Sequence, residues 1–181
     1  MKKLIFVRHW ESFANLEWKY WWHSMVELTN KWKEQAFETW KLLKNKNITK
    51  IISSDLERAT STANSINTEA EINLEIEKLK ELREVDCWEF TLKNIKNWYS
   101  IMEIAFKSLE WEKEKELIIR AKKAVEKIKN IKTEWNILII WHNSFTATIF
   151  YILNDENKNI SLLEYRKQWN MKNSEIREFI V

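Results

Sequence analysis

Arg8, His9, Glu11, Ser12 and Asn15 follow directly on the apolar run Leu4-Ile5-Phe6-Val7. A short buried strand that ends in a cation and an imidazole has the layout of an α/β active site, where ligands sit beyond the carboxyl ends of the strands. Two later segments repeat the pattern. Lys50-Ile51-Ile52-Ser53 reads as a strand that runs into Ser53-Ser54-Asp55, with Arg58 one helical turn further on. Asn136 to Ile140 is the most apolar run and leads to His142 and Asn143. Two fixed cations, Arg8 and Arg58, and two imidazoles, His9 and His142, gathered around one point form a site for a phosphoryl group. The sequence has no Gly-rich phosphate loop carrying a Lys and no His/Cys/Asp group at metal-ligand spacing. Nucleotide-dependent transfer and metal-assisted hydrolysis are therefore not expected, and neither a metal nor any other cofactor is called for.

Alternating helices and strands must place these residues. The pattern predicts a strand over Lys3 to Val7, then an irregular stretch to about Leu28. Thr29 is the expected N-cap of a helix running to about Lys44, with Ala36, Phe37, Trp40 and Leu43 along one side. Asp55 is the expected N-cap of a helix through about Ile66, and Leu74 to Leu79 reads as a third strand. Glu112 to Lys132 is a long charged helix with Leu117, Ala121, Ala124, Val125 and Ile128 at helical spacing. A helix over Ser144 to Leu153 follows the late strand. Ser161 to Arg166 and Glu175 to Val181 are read as a closing antiparallel pair. Strands separated by helices imply parallel pairing with right-handed crossovers. The expected fold class is a three-layer α/β sandwich with a mostly parallel central sheet, formed as one domain over residues 1–181.

With the motifs in view, the chain resembles the histidine phosphatase superfamily, the phosphoglycerate mutase-like fold. The family's Arg-His-Gly-Glu stands here as Arg8-His9-Trp10-Glu11, with Ser12 and Asn15 in register. Leu28-Thr29-Asn30-Lys31-Trp32-Lys33-Glu34-Gln35-Ala36 resembles the family's Leu-Thr-x-x-Gly-x-x-Gln-Ala helix start. Ser53-Ser54-Asp55-Leu56-Glu57-Arg58-Ala59 matches the second arginine motif, and Leu82 to Phe90 resembles the acidic segment Leu-x-Glu-x-x-x-Gly-x-Trp/Phe. Ile140-Trp141-His142-Asn143 resembles the late Gly-His-Asn motif. The resemblance implies that His9 attacks phosphorus and carries the phosphoryl group, while Arg8, Arg58 and His142 hold the non-bridging oxygens. It implies Glu84 as the group that protonates the leaving oxygen, a role that needs its carboxyl pKa raised toward neutrality. Glu81 and Glu89 are competing carboxylates in the same charged segment. Asn15 is an expected further donor to the phosphate.

Composition sets a puzzle beside these motifs. The chain has 12 Trp but no Gly and no Pro in 181 residues, whereas Gly ordinarily makes up about 7%. Trp10, Trp32, Trp88 and Trp141 fall where the family motifs carry Gly. Trp21-Trp22, Trp135-Asn136 and Trp169-Asn170 sit where turns are expected, although Trp32 and Trp40 also suit a helical pattern. We read many or all of these tryptophans as standing for glycine in the biological protein, for example through a UGA codon read as Gly. The Lys-, Asn-, Ile- and Glu-heavy composition suits an AT-rich genome. Otherwise Trp18, Tyr20, Trp21 and Trp22 form an aromatic ligand platform, and an indole at position 10 beside His9 would block access.

The net charge of +3 is spread rather than clustered, so neither nucleic acid nor a membrane surface is an expected partner. The four-residue run before Arg8 is too short for a signal peptide's apolar region, and the single Cys87 forms no internal disulfide. Both point to a cytoplasmic protein. Cys87 is expected to pack inertly, and His23 to lie exposed in a loop. The expected partners are a small phosphorylated substrate and, at most, a second copy of the chain as a homodimer. Within the family that the chain resembles, mutases and phosphatases differ in insertions around the pocket, so the resemblance together with the short span between Glu84 and the late strand implies a phosphomonoester hydrolase for small phosphorylated metabolites. The alternatives are a phosphoglycerate mutase and a catalytically impaired phosphate-binding module.

Overall fold

The computed structural model describes residues 2–17, 23, 26–86, 113–154, 160–169 and 171–180. The strands Lys3–Arg8 and Asn136–Trp141 are buried along nearly their whole apolar length, so both of their faces need cover. Strand β1 (Lys3–Arg8) is followed by a single helical turn, α1 (Phe13–Leu16), and by α2 (Trp32–Leu43). Next come β2 (Ile48–Ser54), α3 (Glu57–Glu69), β3 (Ile76–Leu79) and a 3-10 turn at Lys80–Leu82. The second half runs α4 (Glu114–Lys129), β4 (Asn136–Trp141), α5 (Asn143–Leu153), α6 (Leu162–Gln168) and β5 (Ile176–Ile180). The sheet order is β3-β2-β4-β1-β5. Strands β3, β2, β4 and β1 pair in parallel, and β5 joins the β1 edge antiparallel. The expected three-layer α/β class is what forms.

The two-residue period of the strands divides the core. Leu4, Phe6, Ile137, Ile139 and Trp141 face one layer, packed on Leu117, Ala121, Ala124 and Ile128 of α4 and on Phe145 and Ile149 of α5. Ile5, Val7, Ile51, Leu138 and Ile140 face the other, against Ala36 and Leu43 of α2 and Ala59, Ala63 and Ile66 of α3. Small alanines let the helices approach the sheet, and both clusters exclude water almost completely. Trp10 lies in the second cluster and Trp141 in the first, where its ring stacks 4.3 Å from Phe6.

Three element expectations need correction. Ser161 to Arg166 is the helix α6, not half of a hairpin, and β5 pairs with β1 instead. The reason is local: Ser161 accepts from the Glu164 N–H while Glu164 reaches back to the Ser161 N–H, a reciprocal cap that starts a helix. Asp55 does not cap α3. The N-cap position belongs to Leu56, and the Asp55 carboxylate is taken up by Arg83 in a bidentate pair at 2.7 and 2.6 Å. Nor does Thr29 cap α2, which begins at Trp32; its hydroxyl donates to Glu11 at 2.9 Å.

Candidate active site

Parallel pairing brings the carboxyl ends of β1, β2 and β4 to one edge of the sheet. Arg8 lies opposite Trp141 in the β1–β4 register, so His9 and His142 emerge side by side. Their ring centroids are 5.1 Å apart. Arg58 rises from the first turn of α3, which β2 delivers to the same edge. Glu84 enters from the segment after the 3-10 turn. These groups are withdrawn from solvent, with His9 4%, Arg58 5%, Glu84 8% and His142 0% exposed.

The chain fixes the His9 ring through its own backbone. Nδ1 lies 2.7 Å from the Trp10 carbonyl oxygen, which can only accept, so Nδ1 carries the proton and Nε2 presents its lone pair. Burial holds the His9 imidazole well below its ordinary pKa, and the Arg58 and Arg8 cations push the same way against the Trp10 hydrogen bond. The ring is therefore neutral and nucleophilic in a cationic well. Burial first, and Arg58 next, hold His142 well below its ordinary value too. Its Nε2 is 2.9 Å from Ser54 Oγ, which already accepts from the Leu56 N–H. The Ser54 hydroxyl proton can point at Nε2, and in that arrangement Nδ1 carries the ring proton.

Both arginines pay desolvation. Burial lowers Arg58 to about 10, with Arg8 adding to the effect and Glu84 opposing it. Arg8 is lowered by burial and supported by Glu84 and Glu175. One Arg8 terminal nitrogen donates to the Met171 carbonyl. Arg8 Nε, a donor, and His142 Nδ1 are buried nitrogens without a partner among the described residues. Orphaned buried donors are costly unless a ligand supplies acceptors, and a phosphoryl oxygen is such an acceptor.

Glu84 is singled out from its neighbours by what holds it. Oε1 accepts from the Val85 and Phe145 N–H groups at 3.0 and 2.9 Å, and Oε2 from the Ser144 N–H at 3.1 Å. The carboxylate thus sits at the N-terminus of α5, where N–H groups are otherwise unpaired. Oε1 has both lone pairs engaged, which leaves Oε2 with an open position for a proton. Glu81 points instead at α4, where hydrogen bonding to Lys127, backed by Lys123, brings it down to about 2. Glu89 lies outside the described residues, as do Cys87, Trp88 and the aromatic group Trp18, Tyr20, Trp21 and Trp22.

Asn15 reaches the same edge. Its Oδ1 accepts from the Ser12 N–H and hydroxyl and from Asn173 Nδ2, contacts that do not use its own Nδ2 donors. Glu11 is a structural tie: its carboxylate takes the Thr29 hydroxyl and Lys31, and its N–H donates to Gln35. His23 is not merely exposed, since Nε2 is 2.8 Å from the Glu84 carbonyl and Nδ1 is 3.3 Å from Asp86. The Trp10 indole turns away into the α2–α3 layer, where Nε1 donates to Thr39 at 3.2 Å and the ring stacks on Trp32. That orientation removes the steric reason for expecting a blocked His9.

The residues of the C-terminal clasp, 171–175, escaped the sequence reading. Asn173 Nδ2 donates to the His9 carbonyl at 2.9 Å, the Met171 N–H to Asn143 Oδ1 at 2.9 Å, and the Ser174 N–H to the Arg8 carbonyl at 3.2 Å. Ser174 and its neighbours bring together the ends of β1 and α5 from far along the chain, and the Asn-x-x-Asn spacing from 170 to 173 gave no local hint of it. A separate groove of about 470 Å³ lies on the outer face of α2, lined by Trp32, Phe37 and Trp40, and shares no residue with this cluster. Among the described residues no group of His, Cys, Asp and Glu is arranged to hold a metal ion.

An imidazole framed by two arginines and a second imidazole, at the carboxyl edge of a parallel sheet, has the charge and donor set that suits a phosphoryl group. The chain belongs to the histidine phosphatase superfamily (branch 1), whose family model matches residues 4–173. Similar solved structures span nearly the whole chain. The alpha-ribazole phosphatase from Shigella flexneri is 19% identical, with a TM-score of 0.82 over 97% of this chain and 89% of that one. A phosphoserine phosphatase from Entamoeba histolytica is 21% identical, with a TM-score of 0.80 over 99% and 91%. A phosphoglycerate mutase from Bacillus anthracis is also 21% identical, with a TM-score of 0.79 over 97% and 86%. At these identities the likeness is one of fold. No curated protein matches the sequence. No helix among the described residues is long and apolar enough to cross a membrane.

Proposed function

We propose that this chain is a metal-independent phosphomonoesterase acting on small phosphorylated metabolites through a phosphohistidine at His9. The observation that carries the reading is the His9 ring itself: Nδ1 tied to a backbone carbonyl, Nε2 open, and the whole imidazole kept neutral between Arg8 and Arg58. Nε2 attacks phosphorus in line, the bond to the leaving oxygen breaks, and that oxygen takes a proton from Glu84. Water then attacks the phosphohistidine and gives its proton to Glu84, which releases phosphate and restores the neutral ring. Arg8, Arg58 and the Nδ1–H of His142 receive the non-bridging oxygens as charge redistributes in a loose transition state. Asn15 acts from the side, as part of the frame that fixes the strand end.

The test is to mix the protein with a phosphomonoester, quench within milliseconds, and map phosphate by mass spectrometry. Acid-labile phosphate on His9, phosphate release, and loss of both in His9→Ala support the proposal. Turnover without label, or label on another residue, overturns it. Interconversion of 2- and 3-phosphoglycerate without phosphate release would instead assign a mutase.

A further inference from the structure

Residues 83–86 have no regular secondary structure, yet Glu84 must present one oxygen at a fixed place. Their backbone needs an anchor that helix or sheet pairing does not supply. His23 Nε2, 2.8 Å from the Glu84 carbonyl, supplies one anchor, and a second comes from the middle of α4. One terminal nitrogen of Arg120 donates to the Glu81 carbonyl at 2.8 Å and to the Arg83 carbonyl at 2.7 Å, and the other is 3.4 Å from the Glu84 carbonyl. The Arg83 and Glu84 carbonyls belong to the two peptide planes that flank the Glu84 Cα. One rigid guanidinium therefore restrains both torsions that aim the Cα–Cβ bond. The same group lies 4.1 Å from the Phe145 ring centroid, and the Phe145 N–H is one of the donors that hold the Glu84 carboxylate. Arg120 thus ties the backbone that carries the carboxylate to the helix start that receives it.

We propose that Arg120 is a positioning residue for proton transfer: it keeps Glu84 Oε2 in register with the leaving oxygen and does not touch substrate. The inference rests on the proposed role of Glu84. A lysine cannot replace the arginine in full, because a single ammonium on a flexible stem does not span three carbonyls in a fixed plane. Proton donation is worth about 10²- to 10⁴-fold, and it matters in proportion to the basicity of the leaving oxygen. Misplacing a reacting group by about 1 Å costs on the order of 100-fold. Loss of Arg120 should therefore be felt with alkyl phosphates and spared with activated aryl phosphates.

The experiment compares kcat/KM for glycerol phosphate and for p-nitrophenyl phosphate in the wild type, Arg120→Met, Arg120→Lys and Glu84→Gln. Methionine keeps the apolar stem over Phe145 while removing every donor, and lysine serves if Arg120→Met does not fold. The expected result is a loss of about 10- to 100-fold on glycerol phosphate in Arg120→Met, with less than about threefold on p-nitrophenyl phosphate. Arg120→Lys should fall between, and Glu84→Gln should show the same preference more steeply. Equal losses on both substrates in the Arg120 variants, with Glu84→Gln still discriminating, overturn the inference alone. A Glu84→Gln variant that loses no more on glycerol phosphate than on p-nitrophenyl phosphate overturns the role of Glu84, and this inference with it.

Discussion

Acidification tests the two buried imidazoles most directly. Folding holds His9 and His142 well below the ordinary histidine value, by burial first and by the neighbouring cations next. In the unfolded chain each ring returns to a pKa of about 6.5. Below that pH the unfolded chain binds protons that the folded chain refuses, so stability falls as the pH falls. The contribution is fully present above about pH 6.5 and is lost downward until the folded rings themselves protonate. Between about pH 7.5 and about pH 5.5 each ring that stays neutral costs about 1.4 kcal/mol, and the pair about 2.7 kcal/mol. With a urea slope of about 2 kcal/mol/M, that moves the midpoint by roughly 1.3 M. The assay is urea unfolding across this range for the wild type and for a His9→Asn, His142→Asn double variant, whose carboxylates are unchanged. The wild type should lose more than the variant, by up to about 2.7 kcal/mol if both rings stay neutral throughout. Identical pH dependence in the two proteins refutes the argument that these rings are folded in their neutral forms.

Three further outcomes follow from the same contacts. Asn173→Ala removes the donor to the His9 carbonyl and one of the three donors to Asn15 Oδ1; it should cost about 1–3 kcal/mol in urea unfolding, and Asn173→Asp should cost more because it faces an anion to two oxygens. Ser54→Ala removes the hydrogen bond to His142 Nε2; it should lower kcat/KM by about tenfold or more, and unchanged turnover would show that this bond does not orient His142 toward phosphate. For the tryptophans, we propose that the protein made in its source organism carries Gly at positions such as 10, 32, 88 and 141. Its intact mass should fall short of that of a chain with 12 Trp, and a mass matching all 12 would end the idea.

The chemistry was legible where local sequence and position in the sheet coincide. Leu4 to Val7 is apolar because both faces of β1 are covered, and Arg8 and His9 are polar because the strand ends there. Neighbouring β4 makes the same switch at His142, so parallel pairing alone was enough to bring the two imidazoles together. Short-range competition was harder to read. Asp55 has the side chain of an N-cap, but Arg83, which is distant in sequence, offers it a bidentate charged partner. Ser161 and Glu164 carry a local helix start, the reciprocal cap at a spacing of three, that the expectation of a strand over Ser161 to Arg166 passed over.

The sequence by itself determined the layer architecture, the edge at which the site forms and the residue types that meet there, because strand and helix periods and strand ends are local properties. Only the tertiary structure decided which carboxylate reaches the edge beside the two imidazoles. Glu81 and Glu84 are three residues apart in one charged segment, yet one is drawn to lysines on α4 and the other to the N–H groups that open α5. Only the fold, too, recruited Arg120 and Asn173, since their donors meet carbonyls 36 and 164 residues away in the chain. A carbonyl is the same group at every position, so no sequence pattern marks which one a distant side chain will find.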